Sequence, residues 1–206
     1  MSRALSMNDL YNKRYNLLDF EGSFYNAFSK PERSGVWFIW GNSGNGKTAF
    51  AIQLVKYLSN YGRVAYNSME ESSSHTIQEA FIRNNMAEVG SKVVLLENEP
   101  LNELEERLKR RKCHDIIVID SLQYSRINWE AYQRIKEANR GKLIIFISHA
   151  DGKSPEGRVA KRIMHDAGLK IWVEGYRAHS KGRYIGPNDG IYTIWNEGAV
   201  RYWGEN

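Results

Sequence analysis

One stretch dominates what this chain can become. Val36 to Thr48 reads VWFIWGNSGNGKT: an apolar run, then Gly41-Asn42-Ser43-Gly44-Asn45-Gly46-Lys47-Thr48. The spacing is G-x-x-x-x-G-K-[ST], a loop that presents backbone N–H groups to phosphate oxygens. Val36–Trp40 fits a buried strand. Gly41, Gly44 and Gly46 supply the dihedral freedom of a tight loop. Lys47 is placed to reach β- and γ-phosphates, and the Thr48 hydroxyl to meet Mg²⁺. Ala49–Leu58 (AFAIQLVKYL) reads as a mostly buried helix whose N-terminus faces the phosphates.

With 206 residues, 42% hydrophobic and 26% charged, the composition is that of one globular domain with a sizeable core. No apolar run approaches the length of a membrane span. The N-terminus lacks the apolar core of a signal peptide, so a cytoplasmic location and no membrane partner are expected. The lone Cys113 cannot form an internal disulfide. Beside His114 it resembles half a metal site, but a structural role is the expectation. A net charge of +5 permits nucleic-acid binding without requiring it.

Strands and helices alternate after the loop. Strands are expected at Arg63–Asn67, Lys92–Leu96, Ile116–Ile119, Lys142–Ser148 and Gly168–Val173. Helices are expected at Thr76–Val89 with Ser73 or Ser74 as cap, around Leu101, Leu104 and Leu108, and at Trp129–Ala138. Asp151–Met164 (DGKSPEGRVAKRIM) reads as a mobile basic loop leading into a short helix. Arg177–Tyr184 and Ile191–Trp195 read as two short strands around a Gly-Pro-Asn-Asp-Gly turn. The pattern predicts an α/β fold with a mostly parallel central sheet and a C-terminal β-hairpin. The core domain is placed at 35–206. Residues 1–34 are either a helix packed on the chain's own sheet or an oligomerisation arm on a neighbour.

Ligands of such sheets sit at the carboxyl ends of the strands. Glu70, Asp120 and His149 all fall there. Asp120 closes IIVI and suits a carboxylate that orders the metal shell beside Thr48. Hydrolysis needs a group that activates water; Glu70 and Glu71 are candidates, Glu70 favoured, and either could cap the next helix. His149 could sense a γ-phosphate, or simply be satisfied by backbone groups.

These residues resemble the RecA-fold ATPases, most closely the DnaB-type replicative helicases and their RadA and KaiC relatives. The resemblance rests on the P-loop, Ser68-Met69-Glu70, Ile119-Asp120-Ser121-Leu122-Gln123, Ser148-His149 and Lys181-Gly182-Arg183-Tyr184-Ile185-Gly186. It spans roughly residues 35–200, with a weaker match at Asp151–Asp166. It implies a RecA-like P-loop core, ATP and Mg²⁺ as cofactors, and a homo-oligomeric ring or filament with shared sites. In such an assembly Lys181 and Arg183 complete the neighbour's site. It further implies action on single-stranded DNA in replication or recombination, beside other proteins of those processes. Lys153, Arg158, Lys161 and Arg162 are then candidate DNA contacts, or else a basic surface or contacts to a neighbour's nucleotide. A KaiC-like ATP switch with protein partners and a P-loop small-molecule kinase are the alternatives.

Overall fold

The computed structural model describes residues 4–204. Among these, the strands are β1 Gly35–Gly41, β2 Val64–Ser68, β3 Val93–Glu97, β4 Ile116–Asp120, β5 Leu143–Asp151, β6 Ser154–Pro155, β7 Leu169–Glu174, β8 Arg177–Ser180 and β9 Ile191–Thr193. The main sheet runs β3-β2-β4-β5-β1-β7-β8-β9. From β3 to β7 every pairing is parallel; β8 and β9 add an antiparallel edge. This is the α/β architecture the alternation predicts.

The apolar runs of β1, β4 and β5 are continuous rather than alternating because both faces of the sheet are covered. In β1, Trp37 and Ile39 enter one core while Val36, Phe38 and Trp40 enter the other. The first core is closed by α2 (Gly22–Phe28), α3 (Lys47–Leu58) and α4 (His75–Arg83). The second is closed by α5 (Leu101–Lys109), α7 (Trp129–Ala138) and α8 (Arg158–Asp166), with the short α6 (Leu122–Ser125) beyond β4.

Within residues 1–34 the structure separates two parts. Leu18, Phe20, Phe24, Ala27 and Phe28 are buried in the first core, where Phe24 stacks on Tyr57 and Tyr192. Ahead of them, α1 (Met7–Tyr11) is closed by a Ser6–Asp9 capping box and buries none of its residues.

Four local expectations are corrected. The helix after Ser74 ends at Arg83, not Val89: Asn84 caps it, and Asn85 enters the left-handed region before a 3₁₀ segment, Met86–Lys92. Asp151–Met164 does lead into a short helix, but its first part is not a loose loop. β5 runs on to Asp151, turns tightly into β6, and α8 follows with Ala160 and Ile163 buried in the second core. β8 stops at Ser180, so Lys181 and Arg183 lie in the connection and not on a paired strand. β9 stops at Thr193, not Trp195, and the chain then forms a helix, α9 (Asn196–Trp203), in a stretch to which the sequence pattern assigns no element.

Candidate nucleotide site

The P-loop occupies the turn between β1 and α3 that the motif requires. Gly41 allows β1 to close on β7: a Cβ there would sit 2.3 Å from the Val173 carbonyl oxygen. Gly46 caps α3 with φ +94°, a conformation that strains any side chain. The α3 N-terminus therefore opens onto the carboxyl edge of the sheet, with its free N–H groups directed as an anion requires.

A cleft of about 440 Å³ lies there, lined by the P-loop residues Ser43, Gly44, Gly46, Lys47, Thr48 and Ala49. The same cleft receives Glu70, Glu71, Asp120, His149, Glu156 and Tyr176. The structure thus brings together the residues that the sequence placed at strand ends.

Each is held by its neighbours. Lys47 Nζ donates to the Asn42 carbonyl at 3.1 Å. Burial lowers its pKa, and the carboxylates of Asp120 and Glu70 counter that. Asp120 is half-buried at the end of β4, and the loss of water around its carboxyl pushes its pKa up to about 6; a hydrogen bond from the Tyr66 hydroxyl pulls the other way. His149 Nε2 donates to Glu70 Oε2 at 2.7 Å, and its Nδ1 lies 3.6 Å from Glu156 Oε2. Glu71 instead accepts from the Thr76 hydroxyl at 2.5 Å, at the start of α4. Both glutamates line the cleft but are held differently: Glu70 pairs with His149, and Glu71 with the Thr76 hydroxyl at the start of α4.

Gln123 ties the ends of β4 and β5 together. It donates to Ser148 Oγ (2.9 Å) and the Glu156 carbonyl (3.1 Å), and accepts from the His149 N–H (3.1 Å). The β5–β6 turn leans on the phosphate loop in the same way. Trp40 Nε1 donates to the Lys153 carbonyl and Asn42 Nδ2 to the Gly152 carbonyl, both at 3.1 Å.

The structure leaves other candidates outside this cleft. The Lys181 N–H bonds to the carbonyl of Lys170, near the start of β7, and both Lys181 and Arg183 are exposed. Since β7 runs parallel to β1, that is the edge of the sheet away from the chain's own P-loop. Lys153, Arg158 and Lys161 are exposed and do not line the cleft; Arg162 lies 3.9 Å over the Trp129 ring. His114 is buried with neither ring nitrogen hydrogen-bonded, and no cluster of three metal-binding side chains exists among the described residues.

No protein-family model matches the chain, and no curated protein matches it in sequence. Among solved structures it is similar to the flagellar accessory protein FlaH from Methanocaldococcus jannaschii. The TM-score is 0.56 at 16% identity, over 87% of this chain and 92% of that one. The fold is RecA-like. At that identity the likeness speaks for architecture, and the chemistry rests on the cleft itself. Among the described residues no helix is long and apolar enough to cross a membrane.

The donor set suits a hard divalent cation. Thr48 offers a hydroxyl at the start of α3, and the half-buried Asp120 offers a carboxylate into the same cleft.

Reasoning from the sequence misses Tyr66, Glu156 and Tyr176. Tyr66 meets Asp120 only through register: Ser68 pairs with Asp120, which brings the Tyr66 side chain to the carboxylate. Nothing in the sequence sets Glu156 apart from other surface glutamates. Tyr176 follows a glycine in the β7–β8 turn, and only the fold brings that turn to the P-loop.

Proposed function

We propose that the chain is a Mg²⁺-dependent, cytoplasmic ATPase of RecA-like type that hydrolyses ATP in sites shared between subunits and acts on single-stranded DNA. The observation that carries the ATPase reading is the convergence of Lys47, Thr48, Asp120, Glu70 and His149 on one cleft. Lys47 and the P-loop N–H groups hold the phosphates. Thr48 and Asp120 hold the cation, which neutralises charge on the transferred phosphoryl group. Glu70, oriented by His149, takes the proton of the attacking water.

The shared site is supported by the placement of Lys181 and Arg183 at the sheet edge opposite the cleft. A neighbour stacked head to tail brings them to its P-loop; a heterologous contact of that kind builds a ring or a filament. The exposed α1 segment belongs to the same reading as an arm toward that neighbour. DNA contact is supported by Lys153, whose turn is tied to the P-loop strand, and by Arg158 and Lys161 beside it.

A second reading is an ATP switch with protein partners. The stacking of Arg162 on Trp129 favours it, because it commits one of four basic candidates to the fold. The similar FlaH, an accessory protein by its name, points the same way.

The deciding experiment is ATP turnover against protein concentration, with and without single-stranded DNA, alongside mass in solution. Turnover per subunit that rises with concentration and with DNA supports the shared-site motor. A concentration-dependent rate indifferent to DNA supports the switch. A flat rate from a monomer overturns the shared site.

A further inference from the structure

The carboxyl edge of the sheet has a direction. Going along it, Asp120 ends β4, His149 lies near the end of β5, the P-loop follows β1, and the β7–β8 turn with Tyr176 comes next. The groups that would meet a terminal phosphate, Asp120, Glu70 and His149, all lie on one side of the P-loop. A nucleotide whose terminal phosphate sits there extends past the loop to the other side, where Tyr176 lines the cleft.

Tyr176 belongs to a built aromatic assembly. Its ring meets Trp195 edge-to-face, with centroids 5.0 Å apart. A Cβ on Gly46 would lie 3.2 Å from the Tyr176 ring, so the ring rests against the phosphate loop. A Cβ on Gly198 would come within 2.2 Å of Trp195 and 2.8 Å of Tyr176, so α9 needs glycine there to let both rings in. The Gly175 N–H donates to Asn45 Oδ1 at 2.8 Å, and the Tyr176 N–H to the Asn45 carbonyl at 3.2 Å. The turn that carries the ring is thus locked to the P-loop. Trp195 nevertheless stays 44% exposed.

Two side-chain amides, one bonded to the β7–β8 turn and one to the residue before Trp195, are already engaged. Asn45 donates its side-chain amide to the Ser43 carbonyl at 3.1 Å while accepting from Gly175. Gln53 donates to the Ile194 carbonyl at 3.3 Å and accepts from the Tyr192 hydroxyl at 3.1 Å.

We infer that Tyr176 and Trp195 form the base-binding platform of the cleft, holding the heterocycle of a nucleoside triphosphate by ring contact and without reading its hydrogen-bonding edge. The platform therefore accepts adenine and guanine nearly alike. This rests on the cleft being a nucleotide site. Ring contact tolerates any base because every base has a π-face, and its loss typically costs on the order of tenfold in affinity.

The test is calorimetric binding of Mg·ATP, Mg·GTP and Mg·tripolyphosphate to the full chain and to its Tyr176→Leu and Trp195→Leu variants, with circular dichroism confirming the fold of each. The expected result is ATP and GTP within about threefold of each other, and both roughly tenfold tighter than tripolyphosphate. The variants then lose that margin while tripolyphosphate binding stays unchanged. Equal losses for tripolyphosphate and nucleotide, or a preference above about thirtyfold for one purine, overturn the platform. If the wild-type chain binds none of the three, the nucleotide reading itself fails. A variant that does not fold is replaced by quenching of the wild-type tryptophan emission, expected with both purine nucleotides and not with tripolyphosphate; equal quenching by tripolyphosphate overturns the platform.

Discussion

His149 Nε2 donates to Glu70 Oε2 at 2.7 Å, although the two residues come from the ends of β5 and β2 with β4 between them. The contact spans the width of β4 and distinguishes Glu70 from Glu71, which pairs with Thr76; on the proposed function Glu70 is then the water-activating group. Glu70→Gln preserves the shape and an acceptor for His149 but cannot take a proton. Turnover is expected to fall about 10²–10³-fold with ATP affinity nearly unchanged. Single-turnover hydrolysis beside equilibrium binding checks it; unaltered turnover would assign the proton to another group.

On the proposed function Tyr66 supports the same centre from behind. Its hydroxyl donates to the Asp120 carboxylate inside the sheet, and groups in that position orient metal ligands. Tyr66→Phe keeps the ring and removes only the donor. The Mg²⁺ concentration for half-maximal turnover should rise roughly tenfold, while ATP-saturated turnover at high Mg²⁺ largely recovers. A Mg²⁺ titration of the rate decides it, and an unshifted curve would leave Tyr66 a packing residue.

Lys181 and Arg183 cannot serve their own chain's cleft, since their connection begins beside Lys170 at the far edge of the sheet. Arg183→Ala should lower turnover about 10³-fold and leave nucleotide binding intact. The sharper check is mixing. Arg183→Ala subunits retain a whole cleft, and Glu70→Gln subunits retain a whole finger. A mixed sample is expected to recover activity that neither has alone. No recovery, in a sample shown to contain mixed oligomers, would refute action between subunits.

How much of this was legible beforehand follows from the range of each interaction. The P-loop, Asp120 and the strand order of events along the chain are local signals: runs of apolar residues, glycine spacing, an acid closing a strand. A short helix after the basic loop was legible, but its docking was not: Gly157 and Pro155 read as loop punctuation, whereas Ala160 and Ile163 find their burial only against a distant sheet face. The α9 helix was hidden by Gly198 and its aromatics, which suit a helix only because the Tyr176 and Trp195 rings fill the space a Cβ would take. Tyr66 and Glu156 depend on strand register and a long-range turn, which periodicity does not encode.

Burial lowers the pKa of His114 below its ordinary value of 6.5, aided by the nearby cations Arg63, Arg107 and Lys142 and opposed by Asp115. The unfolded chain therefore takes up a proton that the folded chain refuses. The stability this residue allows is fully present above about pH 6.5 and is lost as the pH falls toward the lowered value in the fold. His179, half-buried on β8 and also lowered by burial, adds a loss of the same sign. Thermal unfolding from pH 8 to pH 5 should show a falling midpoint, with a shallower slope in His114→Leu. An identical slope in that variant would exclude His114 as a source.

The four basic candidates for DNA contact should not behave alike. Lys153 and Arg158 are exposed at the β5–β6 turn and the first residue of α8. Arg162 has its guanidinium 3.9 Å over Trp129, so its removal costs packing and cation–π attraction within the fold. If single-stranded DNA lies along this turn, Lys153→Ala and Arg158→Ala each weaken binding. Each also lowers the slope of log affinity against log salt by about 0.7, one released counterion per lost phosphate contact. Arg162→Ala is expected to lower the unfolding midpoint instead and to leave the salt slope intact. Fluorescence anisotropy of a labelled oligonucleotide across a salt series reads both quantities. Equal slopes in all variants would remove this surface from DNA contact and leave the protein-partnered switch as the better reading of the basic turn.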